Sequence, residues 1–154
     1  MPLAVGDSAP LIALRDQNAT ERRSDQLDGK ALVLFFYPKD DTTGCTKEAI
    51  DFTSLKPKFQ RAGIDVIGVS PDPVKAHDKF IAKHGLAVTL LSDESRKMLE
   101  TYGVWVEKSM YGKTSMGIER ATYLIDAEGN IAQIWRKVKV AGHVDEVLAA
   151  VRAL

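Results

Sequence analysis

The fold is decided by the stretch ALVLFFYPKDDTTGC, which spans residues 31–45. Its first seven residues are all apolar or aromatic, and such a continuous run predicts a strand buried on both faces. Pro38 ends that strand, and the loop after it leads to Cys45, the single cysteine among 154 residues. A pattern with helical spacing follows, so Cys45 is predicted to lie where a buried strand gives way to a helix.

The start of a helix is a favourable place for an anionic sulfur. The first turn has backbone N–H groups without intrahelical acceptors and the positive end of the helix dipole, which together favour a thiolate. Thr42 and Gly44 flank Cys45 with small, turn-forming groups. We therefore predict that Cys45 is a nucleophile. A lone cysteine is more often a small buried hydrophobe, and this pattern alone leaves that alternative open.

Composition is that of an ordinary globular protein, with 45% hydrophobic and 27% charged residues. The length predicts a single domain over residues 1–154. Lys plus Arg and Asp plus Glu are 21 each, and this zero net charge argues against bulk binding to nucleic acid or membrane. We expect a cytoplasmic protein, because the sequence has neither a signal-peptide pattern nor an apolar run of about 18 residues. A lone cysteine also excludes an internal disulfide.

Strand and helix patterns alternate along the chain. Predicted strands at 64–70 and 88–91 are separated from their neighbours by helical patterns, which implies parallel pairs joined by crossovers. Strands at 121–125 and 131–135 are joined by a short turn and predict an antiparallel hairpin. A final helix follows Gly142. The predicted fold class is therefore α/β, with a central mixed β-sheet and helices on both faces.

Four segments give weaker patterns. We expect a short edge strand within 9–14 and a helix from about 93 to 102. Because Pro57 lacks an amide hydrogen, we expect a kink or a break in the first long helix beside it. Residues 104–118 show no clear period, and we expect mostly loop there.

The residues around Cys45 match a known family. The pattern Pro-x-x-x-Thr-x-x-Cys, at Pro38, Thr42 and Cys45, resembles the active-site pattern of the peroxiredoxins. Three longer strings, FYPKDDTxGCTKEA (x is any residue, here Thr43), MGIERATYLID and WRKVKVAGH, resemble the bacterioferritin-comigratory, or Q-type, subgroup. The resemblance extends over nearly the whole chain, with Pro38 and Gly44 as supporting positions of the loop.

This resemblance implies a thioredoxin-like fold and a thiol peroxidase that reduces hydrogen peroxide and organic hydroperoxides. Such an enzyme serves antioxidant defence and redox homeostasis. By the resemblance, Cys45 is the peroxidatic cysteine and Thr42 hydrogen-bonds the peroxide. Arg120 is the distant arginine of the site, and Glu48 is the acidic residue that orients that arginine.

Two positions depart from the subgroup pattern. A second, resolving cysteine often lies five residues after the first, where this chain has Ile50, and the predicted helix 74–83 has no cysteine either. The sulfenic acid of Cys45 is therefore expected to need an external thiol, such as thioredoxin, glutaredoxin or glutathione. Thr43 stands where the subgroup usually has proline, so the helix start loses a fixed φ. The resemblance implies a monomer or a weak dimer.

No metal, haem or flavin is expected. The three histidines, His77, His84 and His143, lie on or beside predicted helices without a partner at metal-ligand spacing, and we expect them on the surface. One alternative function is a redox sensor or holdase whose partner affinity changes when Cys45 is oxidised. Another, a dithiol oxidoreductase, requires Cys-x-x-Cys, and the position three residues after Cys45 is Glu48.

Overall fold

The computed structural model describes residues 3–26 and 30–154. In chain order, the elements are β1 (Ala13–Asp16), β2 (Glu21–Arg23), a 3-10 turn (Ser24–Gln26), β3 (Ala31–Phe36), α1 (Thr43–Arg61), β4 (Ile64–Ser70), α2 (Val74–His84), β5 (Thr89–Ser92), α3 (Lys97–Thr101), β6 (Trp105–Met110), β7 (Lys113–Ile118), β8 (Ala121–Ile125), β9 (Ile131–Trp135) and α4 (His143–Arg152). None of the helices in these two ranges combines the length and apolar character that crossing a bilayer requires.

A mixed sheet occupies the centre of the molecule. Within the described residues it has seven strands, in the order β2-β1-β5-β4-β3-β8-β9. β4 pairs in parallel with β3 and β5, whereas β8 pairs antiparallel with β3 and β9. The crossovers through α1 and α2 advance in the same direction across the sheet, so right-handed connections place both helices on one face. The predicted parallel pairs and late hairpin are confirmed.

The side chains of β3 alternate between two apolar layers. Val33 and Phe35 pack in a cluster with buried residues of α1, α2 and α4. Leu32, Leu34 and Phe36 pack on the opposite face, in a cluster that includes residues of α3 and β8. Helices therefore lie on both faces of the sheet, as predicted, and β3 is buried on both sides.

The buried stripe of α1 fixes how this helix faces the sheet. Its members lie at helical spacing of three or four residues over most of the helix: Cys45, Glu48, Ala49, Phe52 and Phe59. Phe52 stacks on Phe35 of β3 with ring centroids 4.6 Å apart. Removing such a buried ring typically costs about 3–5 kcal/mol. The same stripe that holds α1 on the sheet also turns Cys45 and Glu48 inward.

The expectation of loop over residues 104–118 is wrong, because β6 and β7 form an antiparallel hairpin there. Most residues of β7 are exposed on both of its faces, so the segment has no apolar alternation to detect. The turn is made by Tyr111 and Gly112, whose φ angles of 53° and 75° are typical of a two-residue hairpin turn.

We expected a kink or a break near Pro57, and the break does not occur, since α1 continues through this residue to Arg61. Contacts with the segment before β5 hold the turn of the helix that precedes the proline. The Ala87 amide donates to Thr53 Oγ1 at 3.1 Å, and Lys56 Nζ donates to the Ala87 carbonyl at 2.5 Å. These tertiary contacts tie α1 to the segment that leads into β5, directly before the residue that lacks an amide hydrogen.

Two further boundaries differ from expectation. The strand expected within 9–14 lies at Ala13–Asp16, so it begins near the end of that range. α3 begins only at Lys97, because Arg96 has a left-handed backbone with φ of 64°. The Asp93 carboxylate, which precedes α3, accepts a hydrogen bond from the Leu99 amide at 2.9 Å. This bond satisfies an amide at the start of the short helix and so stabilises it.

Candidate active site

Cys45 lies in the first turn of α1. The helix begins at Thr43, and Thr42 is its N-cap residue, with an extended backbone. The Thr46 amide makes the first intrahelical bond, to the Thr42 carbonyl at 2.8 Å. The amides of Thr43, Gly44 and Cys45 therefore precede the first helical donor and have no acceptor within the helix. Cys45 thus belongs to the first turn of the helix, at the positive end of the helix dipole.

Arg120 joins Cys45 to Glu48. Its Nη2 donates to Cys45 Sγ at 3.2 Å, and its Nη1 donates to Glu48 Oε1 at 2.7 Å. Arg120 directly precedes β8, which pairs with β3, and this pairing brings the guanidinium to the end of β3 where α1 starts. The structure therefore assembles three of the sequence-predicted site residues, and we call Cys45, Glu48 and Arg120 the Arg120 cluster.

The Arg120 cluster is buried. Cys45 is 2% exposed and Glu48 is fully buried, whereas the Arg120 side chain is 16% exposed. Burial raises the pKa of Glu48 to about 7, although the guanidinium opposes that rise. Burial lowers the pKa of Arg120, but the Glu48 carboxylate and the Cys45 sulfur outweigh it and hold that pKa above its ordinary value. A single cation thus lies between two groups that can each become an anion.

One carboxylate oxygen of the Arg120 cluster lacks a hydrogen-bond donor within the described part of the chain. Glu48 Oε2 is buried and has no hydrogen-bond partner among the residues that the structure describes. A buried carboxylate oxygen without a donor favours the protonated acid, in agreement with the raised pKa of Glu48. The cluster can therefore hold a proton near neutral pH.

Gly44 allows the guanidinium to lie against the first turn of α1. A side-chain carbon at this position would stand 3.2 Å from Arg120 Nη2, closer than most such contacts in proteins. A residue with a side chain would force the guanidinium to shift from its present position beside the Cys45 sulfur. Gly44, a predicted supporting residue, therefore lies in the wall of the site.

Thr42 and Pro38 lie in the loop before the helix, outside the Arg120 cluster. The exposed Thr42 hydroxyl donates to the Lys39 carbonyl at 2.8 Å. Its oxygen lone pairs remain able to accept a hydrogen bond from a ligand. Pro38 is half-buried directly after the buried Tyr37. The structure thus gives Thr42 no direct bond to Cys45.

A second buried polar group includes Asp40 of this loop, and sequence analysis missed it. His77 Nδ1 is 2.6 Å from Asp40 Oδ2, and the Tyr37 hydroxyl donates to Asp40 Oδ1 at 2.6 Å. His77 is fully buried, so the expectation of a surface histidine is wrong. We call Tyr37, Asp40 and His77 the His77 cluster.

The His77 cluster extends to Asp72, and together these side chains could suggest a metal site. Ligand atoms of Asp40, Asp72 and His77 lie within 4.8 Å of one another. However, Asp72 Oδ2 accepts from the Asp40 amide at 2.8 Å and from Ser70 Oγ at 2.7 Å. His77 Nδ1 faces Asp40 in turn. We therefore interpret the group as a hydrogen-bond network that fixes the loop.

The other two histidines also have polar partners. His84 Nε2 is 2.8 Å from Asp41 Oδ1, and its side chain is 21% exposed. His143 is buried, with Nε2 at 2.8 Å from Thr122 Oγ1. Burial, with a smaller effect of the Arg120 charge, lowers the pKa of His143 to about 4. His143 is therefore a neutral core residue, and its expected surface position is wrong.

Comparison with known proteins places this chain in one family. The AhpC/TSA family model matches residues 5–134, and the chain belongs to that family. Peroxiredoxin Bcp of Xanthomonas campestris is 54% identical over 125 residues, 81% of this chain and 78% of that protein. Peroxiredoxin Bcp of Bacillus subtilis is 43% identical over 152 residues, 99% of this chain and 97% of that protein.

A solved structure agrees with these relatives. The bacterioferritin comigratory protein of Xanthomonas campestris, described with an alkyl peroxide reduction activity, superposes with a TM-score of 0.90 at 45% identity. The match covers 96% of this chain and 98% of that one. The predicted thioredoxin-like fold and the Bcp, or Q-type, peroxiredoxin subgroup are therefore confirmed. The predicted class of enzyme, a thioredoxin-dependent peroxidase, is confirmed with them.

Proposed function

We propose that this protein is a one-cysteine peroxiredoxin in which Cys45 is the peroxidatic residue. One observation carries the proposal, the 3.2 Å hydrogen bond from Arg120 Nη2 to Cys45 Sγ in the first turn of α1. A guanidinium and free helix amides at the sulfur favour the thiolate, which is the reactive form. In this proposal Glu48 holds Arg120 in place, and Gly44 and Pro38 shape the loop.

In the first step, the Cys45 thiolate attacks the terminal oxygen of a hydroperoxide. The O–O bond breaks as the S–O bond forms, and the released hydroxide or alkoxide takes a proton to leave as water or an alcohol. Arg120 and the amides near Cys45 donate hydrogen bonds to the oxygens as negative charge develops. A single preorganised donor of this kind contributes about 10²–10³ in rate. Thr42 accepts the hydrogen bond of the peroxide O–H group.

In the second step, an external thiol removes the oxygen from Cys45. The thiol attacks the sulfenic sulfur, forms a mixed disulfide and releases water. A second thiol then restores Cys45 and leaves with the first as a disulfide. The chain has no second cysteine, so these electrons come from another molecule, such as thioredoxin, glutaredoxin or glutathione.

The proposed substrates are hydrogen peroxide and organic hydroperoxides. The alkyl peroxide activity described for the Xanthomonas relative supports the second class. We further propose that residues 1–154 act as one domain, as a monomer or weak dimer in the cytoplasm. There the enzyme would contribute to antioxidant defence and redox homeostasis without a metal, haem or flavin.

A stopped-flow assay of peroxide consumption tests the proposal, with Cys45→Ser as the control. Mass spectrometry after one equivalent of peroxide should find one added oxygen on Cys45, and added thioredoxin, glutaredoxin or glutathione should remove it over many cycles. Undiminished peroxide consumption by Cys45→Ser would contradict the mechanism. A single oxidation that persists with all three thiols would instead favour the sensor or holdase alternative.

A further inference from the structure

The burial of Cys45 creates a conflict between the two halves of the proposed cycle. Cys45 is 2% exposed and in contact with Arg120, an arrangement suited to a small peroxide. An external thiol on a peptide or protein must bring its own sulfur to the Cys45 sulfur. It cannot do so while the Cys45 side chain is buried as it is here. Reduction therefore requires an open form, in which residues 38–45 have moved from this position.

The contacts that hold this loop closed are concentrated at two neighbouring aspartates. Asp40 contacts Tyr37 and His77 through its side chain, and its amide donates to Asp72. Asp41, whose φ of 59° is left-handed, contacts Lys83 and His84 at the end of α2. Opening the loop has to break these contacts.

His77 and His84 hold the loop unequally. They lie seven residues apart, so they project from the same face of α2. His77 is fully buried, whereas the Asp41 and His84 side chains are 43% and 21% exposed. Exposed ion pairs typically contribute about 0–1 kcal/mol, whereas a buried, fully bonded pair is costly to break. The closed form thus depends mainly on His77.

Both ring nitrogens of His77 have hydrogen-bond partners, which fix the orientation of the imidazole. Its Nε2 is 2.9 Å from the Leu91 carbonyl, which can only accept, so Nε2 carries a hydrogen. Its Nδ1 is 2.6 Å from Asp40 Oδ2, and one proton lies between these two atoms. Burial and the Asp40 carboxylate raise the pKa of Tyr37 well above its ordinary value, so its hydroxyl stays protonated and donates to Asp40.

We infer that His77 is a positioning residue for the peroxidase cycle. By linking the β5 carbonyl of Leu91 to Asp40, it holds residues 38–45 closed over Cys45 for oxidation. Loss of the His77–Asp40 contact then gives the open form that an external thiol attacks. This inference rests on the proposed function, because only a one-cysteine cycle requires a foreign thiol at Cys45.

The test separates the two half-reactions in His77→Gln. Three rates are measured: oxidation of Cys45 by hydrogen peroxide, alkylation of reduced Cys45 by iodoacetamide, and reduction of the sulfenic form by glutathione. Losing a buried hydrogen bond to a charged partner should increase the open population about tenfold. Alkylation and reduction should accelerate by the same factor, while oxidation, which uses the closed form, does not accelerate.

Two controls isolate the His77 contact. His84→Gln makes the same chemical change on the same helix face at the exposed contact with Asp41, and it should change alkylation less than about twofold. Val151→Ala in α4 lowers stability far from the loop. If it accelerates alkylation as much as His77→Gln at equal loss of unfolding free energy, global unfolding explains the effect and the inference fails.

A milder variant covers the case in which His77→Gln does not fold. Tyr37→Phe removes only the hydroxyl that donates to Asp40, and it should accelerate alkylation about threefold. Unchanged or slower alkylation and reduction in both variants would overturn the role of His77. If wild-type Cys45 is not oxidised by peroxide at all, the proposed function fails, whereas the alkylation rates still test whether His77 holds the loop.

Discussion

The Arg120 cluster and the His77 cluster each include one residue of the segment 38–45, and both are buried, but they differ in how completely their hydrogen bonds are satisfied. In the His77 cluster, both imidazole nitrogens, both Asp40 carboxylate oxygens and the Tyr37 hydroxyl have partners. In the Arg120 cluster, Glu48 Oε2 has none among the described residues. One guanidinium there also faces both a sulfur and a carboxyl group.

This difference indicates that the His77 cluster has a structural role and that the Arg120 cluster takes part in the reaction. A fully bonded buried network has one favoured arrangement, so it fixes the position of the chain. A cluster with an unsatisfied carboxyl and one shared cation has a strongly shifted pKa, which is a property of functional sites. Substitutions in the Arg120 cluster should therefore mainly change the rate of Cys45 oxidation. Substitutions in the His77 cluster should mainly change how often residues 38–45 open.

Arg120→Ala should give the largest effect. The rate of Cys45 oxidation should fall by about 10²–10³, because the sulfur and the peroxide oxygens lose their charged donor. The free energy of unfolding should also fall by about 3 kcal/mol, since Glu48 is left buried without its cation. Stopped-flow kinetics and urea unfolding measure the two losses.

The double variant Arg120→Ala with Glu48→Gln separates these losses. The introduced glutamine carries no charge, so most of the lost stability should return while the oxidation rate stays low. A recovered rate in this double variant would show that Arg120 acts only by neutralising Glu48, and the proposed donor role would be wrong.

Ile50→Cys should allow a disulfide to form between residues 45 and 50, and its rate of formation reports on both clusters. Ile50 is 40% exposed on α1, five residues after Cys45. An ideal helix places such Cα atoms about 8.7 Å apart, beyond the roughly 7 Å that a disulfide spans, so the first turn of α1 must unwind. We expect an intramolecular disulfide after peroxide, detected by thiol counting and mass spectrometry.

Adding His77→Gln to Ile50→Cys tests the link directly. If the His77 cluster holds the loop closed, the disulfide should form about tenfold faster in the double variant. An equal rate in both would mean that unwinding of α1 does not depend on His77. Cys45→Ser with Ile50→Cys is the control against disulfides between molecules.

Glu48→Gln should change how stability depends on pH. Burial raises the pKa of Glu48 from 4.5 to about 7 in the folded protein. The folded state therefore binds an extra proton between these values, and the stability from this group is present below pH 4.5 and lost as pH rises towards 7. Urea unfolding across this range should show a decline that Glu48→Gln removes and that Glu94→Gln, at an exposed position, retains.

His143→Gln should give the smallest effect. The contribution of His143 to stability rises with pH, whereas that of Glu48 falls. The pKa of His143 falls from 6.5 to about 4 on burial, so its contribution to stability is present above pH 6.5 and lost as pH falls through 4. The glutamine that replaces it can still bond Thr122 but does not titrate. Acid unfolding should shift to lower pH, while the oxidation rate at neutral pH changes less than about threefold.

The sequence predicted the structure well where the pattern of apolar residues matched the spacing of a strand or a helix. The apolar run of β3 and the periodic stripe of α1 predicted the junction at Cys45, and the structure has both. Arg120 could not be placed from the residues alone, because it lies 75 positions from Cys45 and only the β3–β8 pairing brings it there. The family resemblance supplied that residue instead.

The buried polar residues were missed because histidine counts as polar in a periodic pattern. His77 lies three residues before the buried Phe80, and His143 lies four residues before the buried Val147. Both therefore occupy the apolar stripe of their helices, and that spacing was the available signal. The β6–β7 hairpin left no such signal beyond its Tyr111–Gly112 turn, since strands exposed on both faces need no apolar alternation.

The close approach at Gly44 also limits how this site could be transplanted or redesigned. A methyl group there would lie 3.2 Å from Arg120 Nη2, so the guanidinium would have to shift by a few tenths of an ångström. A designer who copies the loop onto another scaffold must therefore keep a bare backbone at this position as well as the cysteine. An alanine there would preserve every functional group of the motif and still displace the guanidinium that donates to the sulfur.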